Sequence, residues 1–160
     1  MAIVIRCESA EQLLRIGQGL AEMLRAGDLL VLSGPLGAGK TTLTQGIGVG
    51  LGVRGPVTSP TFVIARVHPS LKQGPALIHV DAYRLGGLAE VDDLDLDASL
   101  PDSVMVVEWG EGKVEQFSTD RLEVRIDRGL GDSDETRTVT LEGLGERWSK
   151  VDLAALGRNR

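Results

Sequence analysis

The sequence has little of what secreted and membrane-spanning proteins use. It contains one cysteine, Cys7, so no disulfide can form within the chain. No apolar stretch approaches the roughly 20 residues that cross a bilayer. Residues 1–6 reach an arginine after a short apolar run, unlike a signal peptide. We therefore expect a soluble, cytoplasmic protein with no membrane partner, in which Cys7 is a small buried residue at the end of a strand.

Positive charge is also in short supply. Lysine and arginine number 17 against 23 aspartates and glutamates, which leaves a net charge of −6. This balance opposes unassisted attraction to a nucleic-acid backbone, so any role on RNA is expected to pass through another protein that holds the RNA. With 160 residues, 42% of them hydrophobic, residues 1–160 are predicted to form one domain, and the tail after about residue 144 is assigned no role.

The most informative segment is residues 34–42, GPLGAGKTT, which matches the phosphate-binding pattern G-x-x-x-x-G-K-[ST] without a mismatch. Glycines let backbone N–H groups close around a phosphate, because a Cβ would block the turn and the approach of the ligand. A helix is predicted over residues 40–51, with the positive end of its dipole towards the same anion. Its interior glycines weaken it, so tertiary packing must hold it. The loop residues predicted to bind a nucleoside triphosphate are Gly37, Ala38, Gly39, Lys40, Thr41 and Thr42.

Periodicity and turn residues predict the other elements. Ser9 and Gln12 have the spacing of a capping box, which predicts a helix over residues 10–27. Residues 62–67 and 76–81 are rich in β-formers on either side of a polar connection, and they predict an antiparallel hairpin. The remaining predicted elements are strands over residues 1–6, 29–33, 104–108, 121–127 and 136–141, and a weak helix near 150–156.

Two strands are predicted to end in a carboxylate that could complete a metal site. Mg²⁺ takes octahedral oxygen coordination, so a phosphate loop needs an acidic partner beyond Thr41. Asp81 closes the run 76–80 and Glu108 closes the run 104–107, and such strand ends face the ligand crevice of open α/β sheets. Glu108 is favoured for the metal, because its run is more uniformly apolar and therefore more central than the run before Asp81. The alternative for either acid is that it only caps the following turn.

The segment 79–84 reads H-x-D-x-Y-R, which places His79 and Asp81 on one face of a strand and then adds Tyr83 and Arg84. A lone histidine in a strand is more often a hydrogen-bonded core residue than a ligand. Arg84 has an equally ordinary alternative, a surface ion pair. The spacing alone therefore leaves the role of this segment open.

Two more features adjoin these strands. Residues 58–61 carry three hydroxyls, including that of Thr61, on a segment that could order around a γ-phosphate and Mg²⁺ as switch loops do. An ordinary hydroxyl-rich turn is the alternative. Trp109 follows Glu108 at a strand end, where it either marks a contact surface or closes the core.

Four segments occur together in order: GPLGAGKTT, TSPTF over residues 58–62, H-x-D-x-Y-R over 79–84, and E-W-x-E over 108–111. With them the chain resembles the bacterial TsaE family, the ATPases of tRNA threonylcarbamoyladenosine biosynthesis, from about Ser9 to about Leu141. The resemblance implies an α/β P-loop NTPase fold of three layers, with a central parallel sheet flanked by antiparallel strands.

The resemblance also implies an activity. ATP hydrolysis would be weak alone and stimulated by TsaB/TsaD-type proteins, which attach a threonylcarbamoyl group to adenosine 37 of tRNAs reading ANN codons. The protein would contact the tRNA only indirectly, through the complex with those proteins. In the implied site, Thr41 and Glu108 would hold Mg²⁺, and Lys40 would bind the phosphates. Asp81 and Thr61 would act around the γ-phosphate and its attacking water. The other implied functional residues are Trp109, Tyr83 and Arg84 for activity with partners, and Glu11 with a hairpin near residues 128–137 for the nucleotide base.

The phosphate loop also occurs in other classes of protein, which give alternative interpretations of this sequence. A regulatory GTPase needs an N-K-x-D motif, whereas the only asparagine of this chain is Asn159. A small-molecule kinase shares the phosphate loop but usually adds an arginine-bearing lid, and no such segment is obvious. A module that senses ATP without hydrolysing it is the third reading, and a phosphate-release assay separates it from an ATPase.

Overall fold

The computed structural model describes residues 2–35, 37–53, 55, 57, 65–81, 100–108, 120–129 and 135–158. The elements along them are β1 (Ala2–Cys7), α1 (Ala10–Ala21), β2 (Leu29–Ser33), α2 (Lys40–Leu51), β3 (Ala65–His68), β4 (Ala76–Asp81), β5 (Ser103–Glu108), β6 (Arg121–Arg128), β7 (Arg137–Leu144) and α3 (Ala155–Arg158). Short 3₁₀ turns precede β5 and follow β7. Of the helices described, none is long and apolar enough to cross a bilayer.

Across the described residues, the strands form one sheet in the order β1-β7-β6-β2-β5-β4-β3. The four neighbours β6, β2, β5 and β4 are parallel. Antiparallel strands flank them, with β7 and β1 on one side and β3 on the other. Every residue of β5 is buried, as expected for a strand covered on both faces. The predicted fold class, a parallel α/β centre flanked by antiparallel strands, is confirmed, and so is the predicted hairpin of β3 and β4.

Helices α1 and α2 cover one face of this sheet. The capping residue of α1 is Ser9, whose hydroxyl accepts the N–H of Gln12 at 3.2 Å, while the Gln12 amide oxygen accepts the N–H of Glu8 at 2.8 Å. The predicted cap is therefore present. The apolar residues that join both helices to β2 in the core are Leu13, Ile16, Leu20, Leu30, Leu32, Leu43 and Ile47.

Glycines set the distance between the two helices. A Cβ built on Gly17 of α1 would lie 2.4 Å from the carbonyl oxygen of Leu43, and one on Gly46 of α2 would lie 2.2 Å from that of Leu14. The helices thus touch backbone to backbone. Glycine lowers the helix propensity of α2, but it permits the contact that holds α2 in place, as predicted.

Two predicted boundaries are wrong. Helix α1 ends at Ala21 instead of near Gly27. The N–H of Gly27 is instead bonded to the carbonyl of Ser103 at 2.8 Å, and Asp28 accepts the N–H of Arg25 at 2.8 Å and pairs with Arg147 at 2.9 Å. The contacts with Ser103 and Arg147 are tertiary, and they turn the chain into β2 before the helix could continue.

The C-terminal segment also differs from its prediction. A 3₁₀ turn, Glu146–Trp148, comes first, and α3 covers only Ala155–Arg158 instead of beginning near residue 150. Trp148, Leu153 and Leu156 are buried in the same core as the sheet. Anchoring of these apolar side chains takes precedence over a continuous helix, because their burial outweighs a few helical hydrogen bonds in so short a segment.

Candidate functional site

The phosphate-loop motif connects β2 to α2. Gly34 has φ 141° and Gly39 has φ 115°, in the region that favours glycine. A Cβ on Gly34 would lie 2.2 Å from the carbonyl oxygen of Ile126 in β6, and one on Gly39 would lie 2.4 Å from the Leu13 side chain in α1. The loop is therefore seated between β6 and α1. Leu36, within the motif, lies outside the described residues.

Lys40 is the first residue of α2, and its side chain turns back over the loop. It is 5% exposed, and its Nζ donates to the carbonyl oxygens of Gly34 at 2.8 Å and Pro35 at 3.1 Å. The ammonium charge is thus held against the loop backbone and not in open solvent. A polyphosphate in the loop would meet this charge without a large movement of the side chain.

The start of α2 has the properties of an anion site. Its N-cap is Gly39, which offers no side-chain acceptor to the first N–H groups of the helix. These N–H groups and the helix dipole favour a negative group at this end. Of the other predicted loop residues, Ala38 is buried, Thr41 and Thr42 are half-buried, and Gly37 is exposed. The loop therefore combines three features of a triphosphate-binding site: glycines where a Cβ cannot fit, a buried lysine and an uncapped helix start.

The two strand-end acids lie on the side of β2 opposite β6. Asp81 and Glu108 are Cα partners at the ends of β4 and β5, and Glu108 is also the partner of Leu32 in β2. Neighbouring strands are about 4.8 Å apart, so the Asp81 backbone is one strand further from the phosphate loop than that of Glu108. The prediction that the Glu108 strand is the more central one is confirmed.

The Glu108 side chain lies on the helix-covered face of the sheet. Alternate residues of a strand share a face, and Val104 and Val106 belong to the core beneath α1 and α2. Glu108 continues that row and is 6% exposed. Its carboxylate therefore lies at the same edge and on the same face as the first turn of α2, where Thr41 is found.

His79 is bonded to Glu108, a contact that the sequence did not reveal. The His79 Nε2 lies 2.5 Å from Glu108 Oε2, and the histidine is 0% exposed. The Cα partner of His79 is Val106, so the contact runs diagonally between neighbouring strands. The alternative that His79 is a hydrogen-bonded core residue is therefore confirmed, and its partner is the strand-end acid Glu108. The signal was two polar residues in apolar strands, but the strand register was needed to join them.

Two arginines of the β6–β7 hairpin also reach the loop. Arg128 and Arg137 are Cα partners at the last residue of β6 and the first residue of β7. Arg137 Nε donates to the carbonyl oxygen of Ala38 at 2.9 Å, and a Cβ on Gly37 would lie 3.7 Å from an Arg128 guanidinium nitrogen. Arg128 and Arg137 thus border the phosphate loop, and the contact of this hairpin with the nucleotide base stays a prediction.

The other predicted residues are not brought to the loop by a described contact. Glu11 lies in the first turn of α1, is exposed, and pairs with Arg15 at 2.6 Å. The predicted functional residues Thr61, Tyr83, Arg84 and Trp109 lie outside the described residues.

Comparison with known proteins gives one consistent answer. The sequence model of the family described as "Threonylcarbamoyl adenosine biosynthesis protein TsaE" matches residues 7–139. A tRNA threonylcarbamoyladenosine biosynthesis protein TsaE from Streptomyces coelicolor is 70% identical over 143 residues, which cover 88% of this chain and 97% of that protein. The protein of the same description from Bacillus subtilis is 37% identical over 148 residues, 91% of this chain and 89% of that one.

A solved structure agrees with these sequences. The crystal structure of YdiB from Bacillus subtilis superposes with a TM-score of 0.74 at 32% identity, covering 99% of this chain and 95% of that one. Sequence and fold therefore agree over nearly the whole length, and the chain belongs to the TsaE family of tRNA threonylcarbamoyladenosine biosynthesis proteins.

Proposed function

We propose that this protein binds ATP with Mg²⁺ and hydrolyses it, as the ATPase that serves threonylcarbamoylation of adenosine 37 in tRNAs reading ANN codons. The observation that carries the proposal is the phosphate loop, where buried Lys40 is held against the loop carbonyls at the uncapped start of α2. Glu108, buried on the same face and at the same edge of the sheet, adds the acidic group that such sites need.

Each residue has a distinct task in this proposal. The loop N–H groups and Lys40 hold the phosphates, while Thr41 and Glu108 hold Mg²⁺. The metal ion supplies neutralisation of the charge that develops on the phosphate oxygens. Asp81 and Thr61 orient the attacking water at the γ-phosphate. These assignments follow the motif positions and the strand-end placement of both acids.

Further residues serve the nucleotide base and the partners. Glu11 and the hairpin near residues 128–137 border the base, a proposal supported by the Arg137 contact with the loop. Trp109, Tyr83 and Arg84 act when the protein works with TsaB/TsaD-type transferase proteins. The net charge of −6 supports indirect contact with tRNA, because an acidic chain gains little from a phosphate backbone by itself.

The direct test measures phosphate release from ATP by the purified protein, alone and with the threonylcarbamoyl-transfer proteins and unmodified tRNA of its host. We expect slow turnover alone and a clear rise that depends on those proteins. Lys40→Ala should abolish nucleotide binding or turnover, because it removes the charge that meets the phosphates. Lys150→Ala, at an exposed position, is the matched control and should behave as wild type.

The outcomes separate the rival functions. Binding of ATP without phosphate release under any condition would indicate an ATP-sensing module. Transfer of phosphate to an added metabolite, without stimulation by the transferase proteins, would indicate a small-molecule kinase. Normal turnover by Lys40→Ala would contradict the placement of the site itself.

A further inference from the structure

His79, which is bonded to Glu108, has no task in the function proposed above. His79 lies in β4, two residues before Asp81, and it is fully buried. Within the part of the chain that the structure describes, its ring is the one hydrogen-bond partner of the Glu108 carboxylate, at 2.5 Å. A buried carboxylate is costly to leave unpaired, so this contact governs where the Glu108 side chain can lie.

The proposed role of Glu108 assigns the donor of this contact. A carboxylate that binds a metal ion only accepts hydrogen bonds, so in the proposed site Nε2 of His79 donates to Oε2 of Glu108. The other ring nitrogen, Nδ1, is buried and has no partner among the described residues, which suits a ring nitrogen without a proton. His79 thus offers one donor, aimed at one oxygen of Glu108.

This leaves the second carboxylate oxygen, Oε1, for a different partner. In metal sites, carboxylate ligands are themselves fixed by hydrogen bonds, and these outer partners set the orientation of the ligand. The diagonal contact has this effect here: it ties Glu108 to β4 and stops the carboxylate from rotating freely between the strands. The H-x-D spacing gains a physical reading, since His79 fixes one strand-end acid while Asp81 supplies the other.

We propose that His79 is a positioning residue, which holds Glu108 by one oxygen so that the other faces the magnesium ion of the nucleotide. This inference rests on the proposed role of Glu108 in holding that metal. It extends that role to a residue that would touch neither ATP nor Mg²⁺.

The test uses two substitutions of His79 with opposite expectations. His79→Leu fills the space but removes the donor, whereas His79→Gln returns an N–H at about the reach of Nε2. The measurement is the Mg²⁺ concentration that half-saturates binding of a fluorescent, non-hydrolysable ATP analogue, compared with binding of the same analogue in EDTA. We expect His79→Leu to raise the Mg²⁺ midpoint by roughly tenfold or more, with EDTA binding unchanged. His79→Gln should recover most of the loss.

A matched control separates positioning from folding. His68 is the other histidine of the chain; it is 5% exposed and pairs with Leu77 at the opposite end of β4 from Asp81. His68→Leu therefore removes a buried imidazole without touching Glu108, and it should leave the Mg²⁺ midpoint unchanged. Thermal unfolding of every variant shows whether any shift only follows lost stability.

Combining His79→Leu with Glu108→Gln shows whether His79 acts through Glu108 or independently of it. If His79 acts through Glu108, the double variant should bind Mg²⁺ as Glu108→Gln alone does, within about twofold. A full additional loss in the double variant, or a His79→Gln variant as poor as His79→Leu, would overturn the positioning role. If Glu108→Gln itself leaves the midpoint unchanged, the metal assignment fails and the inference falls with it. If only His79→Leu has no effect, the inference fails and the metal assignment stands.

Discussion

Replacing Gly17 with alanine tests whether the contact between α1 and α2 controls both stability and the nucleotide site. In an isolated helix this change is favourable by about 1 kcal/mol. Here the new Cβ would lie 2.4 Å from the Leu43 carbonyl oxygen and 2.9 Å from the Ile47 nitrogen, both backbone atoms of α2. Backbone cannot rotate away, so α2 must shift by about 1 Å to restore ordinary van der Waals contact.

The expected cost follows from that shift. Overpacking of this kind costs typically about 1–3 kcal/mol, and the absence of a side chain that could yield favours the upper part of the range. After the gain in helix propensity, we expect the free energy of unfolding of Gly17→Ala to fall by about 1–2 kcal/mol. Because Lys40 is the first residue of α2, the shift should also weaken ATP binding.

The control is Gly19→Ala in the same helix. Its Cβ would meet only a side-chain methyl of Leu156, at 3.2 Å, and that side chain can adjust. We expect this variant to be as stable as wild type or more stable by up to about 1 kcal/mol, with unchanged ATP affinity. Urea unfolding and titration with a fluorescent ATP analogue measure both quantities. The reasoning would be refuted if Gly17→Ala proved as stable as Gly19→Ala and bound ATP equally well.

Three other changes test separate parts of the molecule. Glu108→Gln should still bind ATP but hydrolyse it more slowly and with weaker dependence on Mg²⁺; an unchanged metal titration would transfer the role to Asp81. Trp109→Ala should keep the fold, shown by its circular dichroism, and lose partner-stimulated turnover; an equal loss of unstimulated turnover would argue for a role in core packing. Arg147→Met should lower the free energy of unfolding by about 3 kcal/mol, because it leaves Asp28, whose side chain is 4% exposed, as an unpaired buried charge; urea unfolding would show whether the loss is instead below 1 kcal/mol, as for a surface pair.

Local patterns predicted much of the fold. The Ser9 cap, the step from β2 through the glycine-rich loop into α2, and the hairpin of β3 and β4 were all read correctly, since each depends on residues close in sequence. The central position of β5 followed from its unbroken apolar run. The end of α1 could not be read in this way, because contacts of Asp28 with Arg147 and of Gly27 with Ser103 decide it.

In the candidate site, too, the local features could be predicted from the sequence and the long-range contacts could not. The phosphate loop and the strand-end acids Asp81 and Glu108 could be named from sequence, because a turn without Cβ atoms and a carboxylate after an apolar run are local features. The contact of Arg137 with Ala38 spans 99 positions of the chain. No spacing rule anticipates a bond at that separation, since it depends on β6 lying beside β2 and β7 lying beside β6.

The local order of residues thus specifies the chemical groups available at the loop: glycines that admit a phosphate, an ammonium, a hydroxyl and two acids at strand ends. How these groups are used depends on the packing of strands and helices. Parallel register between β4 and β5 brings His79 to Glu108, and the contact between Gly17 and Gly46 sets where α2 and Lys40 lie. The reason is physical: the atoms of a side chain are specified locally, but its partner is chosen by which strands and helices become neighbours during folding.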